Sequence, residues 1–117
     1  MPATNPVTIY HNPRCSKSRQ TLELIREHGV EPHVVEYLDT PPSAAELKAI
    51  LQKLGKSAAD IVRHKEAQEE GIDVDALDEA ALLEALAAHP RAIERPIVVK
   101  GKQARLGRPP ESVLEIL

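Results

Sequence analysis

Val7-Thr8-Ile9-Tyr10-His11-Asn12-Pro13-Arg14-Cys15-Ser16-Lys17-Ser18-Arg19 passes from a β-branched, aromatic run through a proline break into a polar segment that opens a helical pattern. Val7 to Tyr10 predict a strand and Asn12-Pro13 a turn. A helix is expected from about Cys15 to His28, with Leu22, Leu24 and Ile25 as its apolar face, Gly29 as its stop and Pro32 shortly beyond. The single cysteine of the chain therefore falls at a helix start. Free N–H groups and aligned peptide dipoles there favour an anion, and His11, Arg14, Lys17 and Arg19 are expected to add positive charge. Those surroundings favour the thiolate, which is the nucleophilic form, over a thiol packed in a core.

Beyond this helix, Val34, Val35, Tyr37 and Leu38 predict a second buried strand, ended by Pro41-Pro42. Strand, helix and strand make a parallel pair with a right-handed crossover the expected geometry. Ser43-Ala44-Ala45-Glu46 has the spacing of a capping box, and Leu47, Ile50, Leu51 and Leu54 follow at helical spacing before Gly55. Ile61 and Val62 imply a further short helix carrying Arg63. Glu66 to Asp78, acidic and poor in apolar residues, is expected to be a solvated connection. Asp78 then caps a helix built on Leu82, Leu83 and Leu86 that ends before Pro90.

After Pro90 the pattern changes again. Arg95-Pro96-Ile97-Val98-Val99 and Gln103-Ala104-Arg105-Leu106 predict a hairpin turning at Gly101, and Gly107-Arg108-Pro109-Pro110 leads into a last helix with Val113, Leu114 and Leu117. The expected class is α/β. A βαβ unit, a helical insertion at about 43–90 and a ββα unit are the element order of a thioredoxin-like fold, formed by residues 1–117 as one domain.

Composition narrows the function. The 117 residues are 42% hydrophobic and 28% charged, without Phe or Trp, so the core is aliphatic. A net charge of −3 with no long basic block disfavours nucleic acid as a partner. One cysteine allows no internal disulfide, which fits a reducing compartment. No secretory pattern opens the chain and no apolar run approaches membrane-spanning length, so a cytoplasmic protein away from membranes is expected; a monomer is expected as well, although the sequence leaves the oligomeric state open. His28, His33, His64 and His89 lack ligand spacing, and Glu66, Glu69, Glu70, Asp73 and Asp75 lack that of a calcium loop. No metal site is expected.

Arg63, Arg95 and Arg108 each stand beside an element boundary. The planar donor fork of arginine suits tetrahedral oxyanions, and three converging arginines would cradle one; taken singly, each also fits an ordinary surface position. Arg95-Pro96 is a candidate cis bond, since a proline opening a strand next to a nucleophile could turn the preceding backbone toward it. A phosphatase-type loop requires arginine at the sixth position after the cysteine, where this chain has Thr21. Ser18 stands where a Cys-x-x-Cys protein has its second thiol, so dithiol chemistry is excluded and monothiol exchange is not.

Tyr10 to Arg19, Glu94-Arg95-Pro96-Ile97-Val98-Val99 and Leu106-Gly107-Arg108-Pro109-Pro110-Glu111, in that order, resemble the glutaredoxin-coupled arsenate reductase (ArsC) family over essentially the whole chain. The resemblance implies a thioredoxin-like fold with a helical insertion and a cis proline at Pro96. It also implies Cys15 as nucleophile, His11 in support, and Arg63, Arg95 and Arg108 as oxyanion ligands. Arsenate would be the substrate, glutathione a co-substrate, glutaredoxin the partner that resolves the mixed disulfide, and no cofactor would be bound. Ser16 stands where plasmid-type members carry glycine, which makes this chain similar to a shorter, chromosomal branch. Two other readings remain open: a regulator of the Spx type, which usually carries the Cys-x-x-Cys absent here, and a glutathione-dependent monothiol protein acting on another substrate.

Overall fold

In a computed structural model, which describes residues 6–117, the chain groups into two units: the residues up to Glu36 together with Arg95–Leu117, and Tyr37–Glu94. The insertion expected at about 43–90 lies inside the second.

The first unit is built on a four-stranded sheet in the order β2-β1-β3-β4, formed by β1 (Val7–His11), β2 (His33–Glu36), β3 (Ile97–Lys100) and β4 (Gln103–Leu106). Strands β1 and β2 are parallel, with Ile9 opposite Val34. Strand β3 runs antiparallel to β1, with Val98 opposite Ile9, and β4 antiparallel to β3. The hairpin turns at Gly101, whose φ of 60° lies in the left-handed region that glycine tolerates. Period-two alternation buries Val7, Ile9 and His11 on β1, so the register that fills the core also buries the imidazole. Helix α1 (Ser16–Glu27) contributes Ile25 to the core formed by Val7, Ile9, Val98, Val113 and Ile116. Full burial of such aliphatic side chains contributes about 1.5–3 kcal/mol each.

Two expectations are corrected in this unit. The second strand stops at Glu36, and because β2 is an edge strand its His33 and Glu36 are exposed while Val34 and Val35 are only half-buried. The last helix is a 3₁₀ segment, Pro110–Ile116. Its three residues per turn bury Pro110, Val113 and Ile116 on one side, in place of the Val113, Leu114 and Leu117 face of an α-helix.

The second unit is helical. Helix α2 (Ala44–Leu54) starts in the expected capping box: the Glu46 N–H donates to Ser43 Oγ at 3.1 Å and the Ser43 N–H to Glu46 Oε1 at 3.2 Å. It packs against α4 (Glu79–Ala88), capped by Asp78, whose Oδ1 accepts from the Ala81 N–H at 2.8 Å. The helix expected to carry Arg63 is instead one 3₁₀ turn, Ala58–Ile61. Val62 pairs with Ile93 in an isolated antiparallel bridge, and Arg63 caps a separate helix, α3 (His64–Glu69). The acidic stretch is thus partly helical, with a further 3₁₀ turn at Val74–Ala76. It lacked an apolar period because only Ala67 of α3 is fully buried.

Candidate active site

Strand β1 ends on His11 and the chain turns at Asn12, both buried, at 5% and 7% exposure. Asn12 closes the turn twice. Its carbonyl accepts the Cys15 N–H at 3.0 Å, and its Oδ1 accepts the Arg14 N–H at 3.0 Å, the local bond that makes asparagine a turn former. Cys15 then takes an extended conformation as the N-cap of α1, and its carbonyl accepts the Arg19 N–H at 3.0 Å. The sulfur thereby stands at the helix N-terminus, half-buried and free of any disulfide.

Fully buried Ser18 ties this turn to the strand. Its Oγ accepts the Asn12 N–H at 3.0 Å and lies 2.6 Å from His11 Nδ1. With one proton and a second lone pair still to place, that oxygen can hold Nδ1 either as donor or as acceptor. Burial lowers the pKa of His11, against the attraction of Glu36, and Arg26 and Arg19 lower it further. Burial thus favours the neutral imidazole, which Ser18 Oγ holds in place through Nδ1.

Burial of the Cys15 sulfur opposes its ionisation. The Ser18 backbone N–H, the hydrogen bond and positive charge of Arg95, and the Lys17 backbone N–H outweigh it, and the thiol titrates below its ordinary value. The positive side chain responsible is thus Arg95, reached across the sheet, while Lys17 acts through its backbone. Arg108 adds a contact from Nη2 to Sγ at 3.8 Å. Its Nε donates to the Arg95 carbonyl at 2.8 Å, and the Gly107 N–H donates to the Pro96 carbonyl at 2.9 Å, so the two arginine segments are tied together. Arg95 Nε is buried without a hydrogen-bond partner among the described residues. The Arg95-Pro96 peptide is cis, as the family resemblance implies, and so is Arg108-Pro109.

The structure thus brings together Cys15, His11, Arg95 and Arg108. Arg63 belongs to the second unit, where its Nε donates to Glu66 and its Nη1 to Glu94, each at 3.0 Å. Burial disfavours its charge, but the two carboxylates more than compensate and raise its pKa. Asn12, Ser18 and Gly107 were missed as site residues. The signal for Ser18 was a small hydroxyl in the first turn of the helix that the cysteine opens. For Gly107 it was a glycine between a strand and an arginine. No group of three or more His, Cys, Asp or Glu side chains placed to hold a metal ion occurs among the described residues.

The sequence model of the ArsC family matches residues 10–116. The chain is 53% identical over 117 residues to "Uncharacterized protein YfgD" of Escherichia coli K12, covering 97% of this chain and 98% of that protein. It is 49% identical over 114 residues to the arsenate reductase of Neisseria meningitidis Z2491, covering 95% and 97%. The solved structure of an arsenate reductase from Vibrio cholerae, 49% identical, superposes with a TM-score of 0.92 over 98% of this chain and 100% of that one. The element order and sheet topology are those of the thioredoxin-like α/β fold.

Proposed function

The chain belongs to the ArsC family, and from that premise we propose that it reduces arsenate to arsenite with Cys15 as the nucleophile. The observation that carries this reading is the Cys15 sulfur at the N-terminus of α1 with Arg108 Nη2 3.8 Å away, where the charge of Arg95 also favours the thiolate. A thiolate flanked by two guanidinium groups and a helix N-terminus is suited to receive an oxyanion and attack its central atom.

In the first step Cys15 Sγ forms a bond to arsenic and an arsenate oxygen leaves as hydroxide or water. Arg95 and Arg108 neutralise the charge on the remaining oxygens. A glutathione thiolate then attacks Sγ. The electron pair of the S–As bond stays on arsenic, which leaves as trivalent arsenite, and Cys15 becomes a mixed disulfide with glutathione. A glutaredoxin thiol attacks the glutathione sulfur and returns Cys15 as thiolate. The external thiols follow from the single cysteine, since two electrons reach arsenic only as two sulfurs join. His11 supports the reaction by holding Ser18, whose backbone N–H favours the thiolate. Reduced glutathione as electron source places the reaction in a reducing compartment such as the cytoplasm. Among the described residues no helix is long and apolar enough to cross a membrane.

Arg63 is proposed as a third oxyanion ligand on the family resemblance alone, and its kinetic variants decide that role. Arsenite formation by the purified protein, with glutathione and glutaredoxin omitted in turn, tests the proposed reductants. Production that stops without glutathione and slows without glutaredoxin is expected. Production independent of both would refute them.

A further inference from the structure

The fully buried Thr21 takes no part in the reaction outlined above, yet it touches two segments of the site, the first turn of α1 and the Gly107 backbone. Its Oγ1 donates to the Lys17 carbonyl at 2.7 Å. That carbonyl belongs to the Lys17–Ser18 peptide in the first turn of α1, whose N–H end, at Ser18, favours the Cys15 thiolate. A hydrogen bond accepted at one end of a peptide polarises it and strengthens the donor at the other. Thr21 also faces Gly107: a Cβ built there would lie 2.5 Å from Thr21 Oγ1, 3.0 Å from Thr21 Cγ2 and 2.6 Å from Pro96 Cγ. Real Cβ atoms do not approach so closely, so the segment carrying Arg108 can lie against α1 and Pro96 only with glycine at 107.

We propose that Thr21 is a positioning residue for the nucleophile, holding the Lys17–Ser18 peptide toward Cys15 through its hydroxyl and setting the seat of Gly107, and with it Arg108, through its side-chain packing. The inference rests on Cys15 being the nucleophile. The charged groups directed at the sulfur from the elements around it are Arg95 and Arg108. Thr21 adds no charge, so its effect is one of alignment and polarisation.

The test is the pH profile of Cys15 alkylation by iodoacetamide in the folded protein, which requires no arsenate and so stands apart from the reductase reading. Thr21→Val keeps the branched shape and loses the hydroxyl. Its alkylation on the acid side of the profile is expected to fall about two- to four-fold, with an unchanged alkaline plateau. Thr21→Ser keeps the donor and should retain the parent profile. Gly107→Ala, which forces its methyl against the Thr21 hydroxyl, should shift the profile in the same direction as Thr21→Val and raise the KM for arsenate. Should Thr21→Val not fold, Thr21→Ser and Gly107→Ala still decide. A parent profile in folded Gly107→Ala or Thr21→Val, or a loss in Thr21→Ser equal to that in Thr21→Val, overturns the proposal.

Discussion

Ser18→Ala removes one oxygen that serves two buried groups. The Asn12 N–H, 3.0 Å from Ser18 Oγ, and His11 Nδ1, 2.6 Å from it, belong to residues only 7% and 5% exposed, so water cannot readily replace the hydroxyl. Each orphaned buried group costs about 1–3 kcal/mol, which gives roughly 2–4 kcal/mol for the pair when both lie at the low or middle of that range. Alanine is the better helix former by roughly 0.5 kcal/mol, a small offset. The net loss is therefore about 1.5–3.5 kcal/mol, a large fraction of the stability of a small domain. For an m-value of roughly 1.5–2 kcal/mol per M, the urea midpoint falls by about 1–2 M. The assay is equilibrium urea unfolding of the two proteins side by side, with equal slopes as the check that only stability changed. A loss below about 0.5 kcal/mol would refute the reasoning, since it would mean that neither group depends on this hydroxyl.

Stability should also depend on pH through His11. Its folded pKa lies below the ordinary 6.5, so the unfolded chain binds the proton more readily; the contribution is complete above that value and is lost as pH falls through the folded pKa. Urea midpoints measured from neutral pH to about pH 5.5 should fall, and His11→Gln should flatten that slope. Arg95→Ala removes the donor and charge that favour the Cys15 thiolate, so the alkylation midpoint moves to higher pH. Loss of a hydrogen bond to a charged group, about 1.5–3 kcal/mol, lowers kcat/KM for arsenate by roughly ten- to a hundred-fold in steady-state assays. Arg63→Ala removes the cation that Glu66 and Glu94 share, which costs about 1–2 kcal/mol for half-buried pairs. Equilibrium denaturation of the two proteins checks this, and an unchanged midpoint would contradict the pairing. Ser43→Ala breaks the capping box of α2 and costs about 1 kcal/mol by the same measurement.

β-Branched runs and helical spacing made the sheet, α1, α2 and α4 legible in the sequence, although of the expected α1 face Leu22, Leu24 and Ile25 only Ile25 is fully buried, beside the polar Ser18 and Thr21. The last helix was harder. Pro110, Val113, Leu114, Ile116 and Leu117 offer both a three- and a four-residue spacing, and packing selected the three-residue one. Helix α3 left no apolar pattern, since it buries only Ala67 and draws on the ion pair of Arg63 with Glu66. Near the nucleophile, Cys15 at a helix start was legible from the residues alone, while the parts given to His11, Arg95 and Arg108 and the cis bond at Pro96 came with the family resemblance. Ser18 and Gly107 were not legible, because their roles rest on contacts with His11 and Thr21 that exist only once α1 lies on the sheet. Nor was the pairing of Arg63 with Glu94, which joins residues far apart in the chain.

The most direct test of the central claim is arsenate-dependent NADPH consumption in a coupled assay with glutathione, glutaredoxin and glutathione reductase, comparing the parent protein with Cys15→Ser. Turnover that requires arsenate and glutathione and is abolished by the serine substitution is the predicted result. An active serine variant, or a folded parent protein with no turnover, would contradict it.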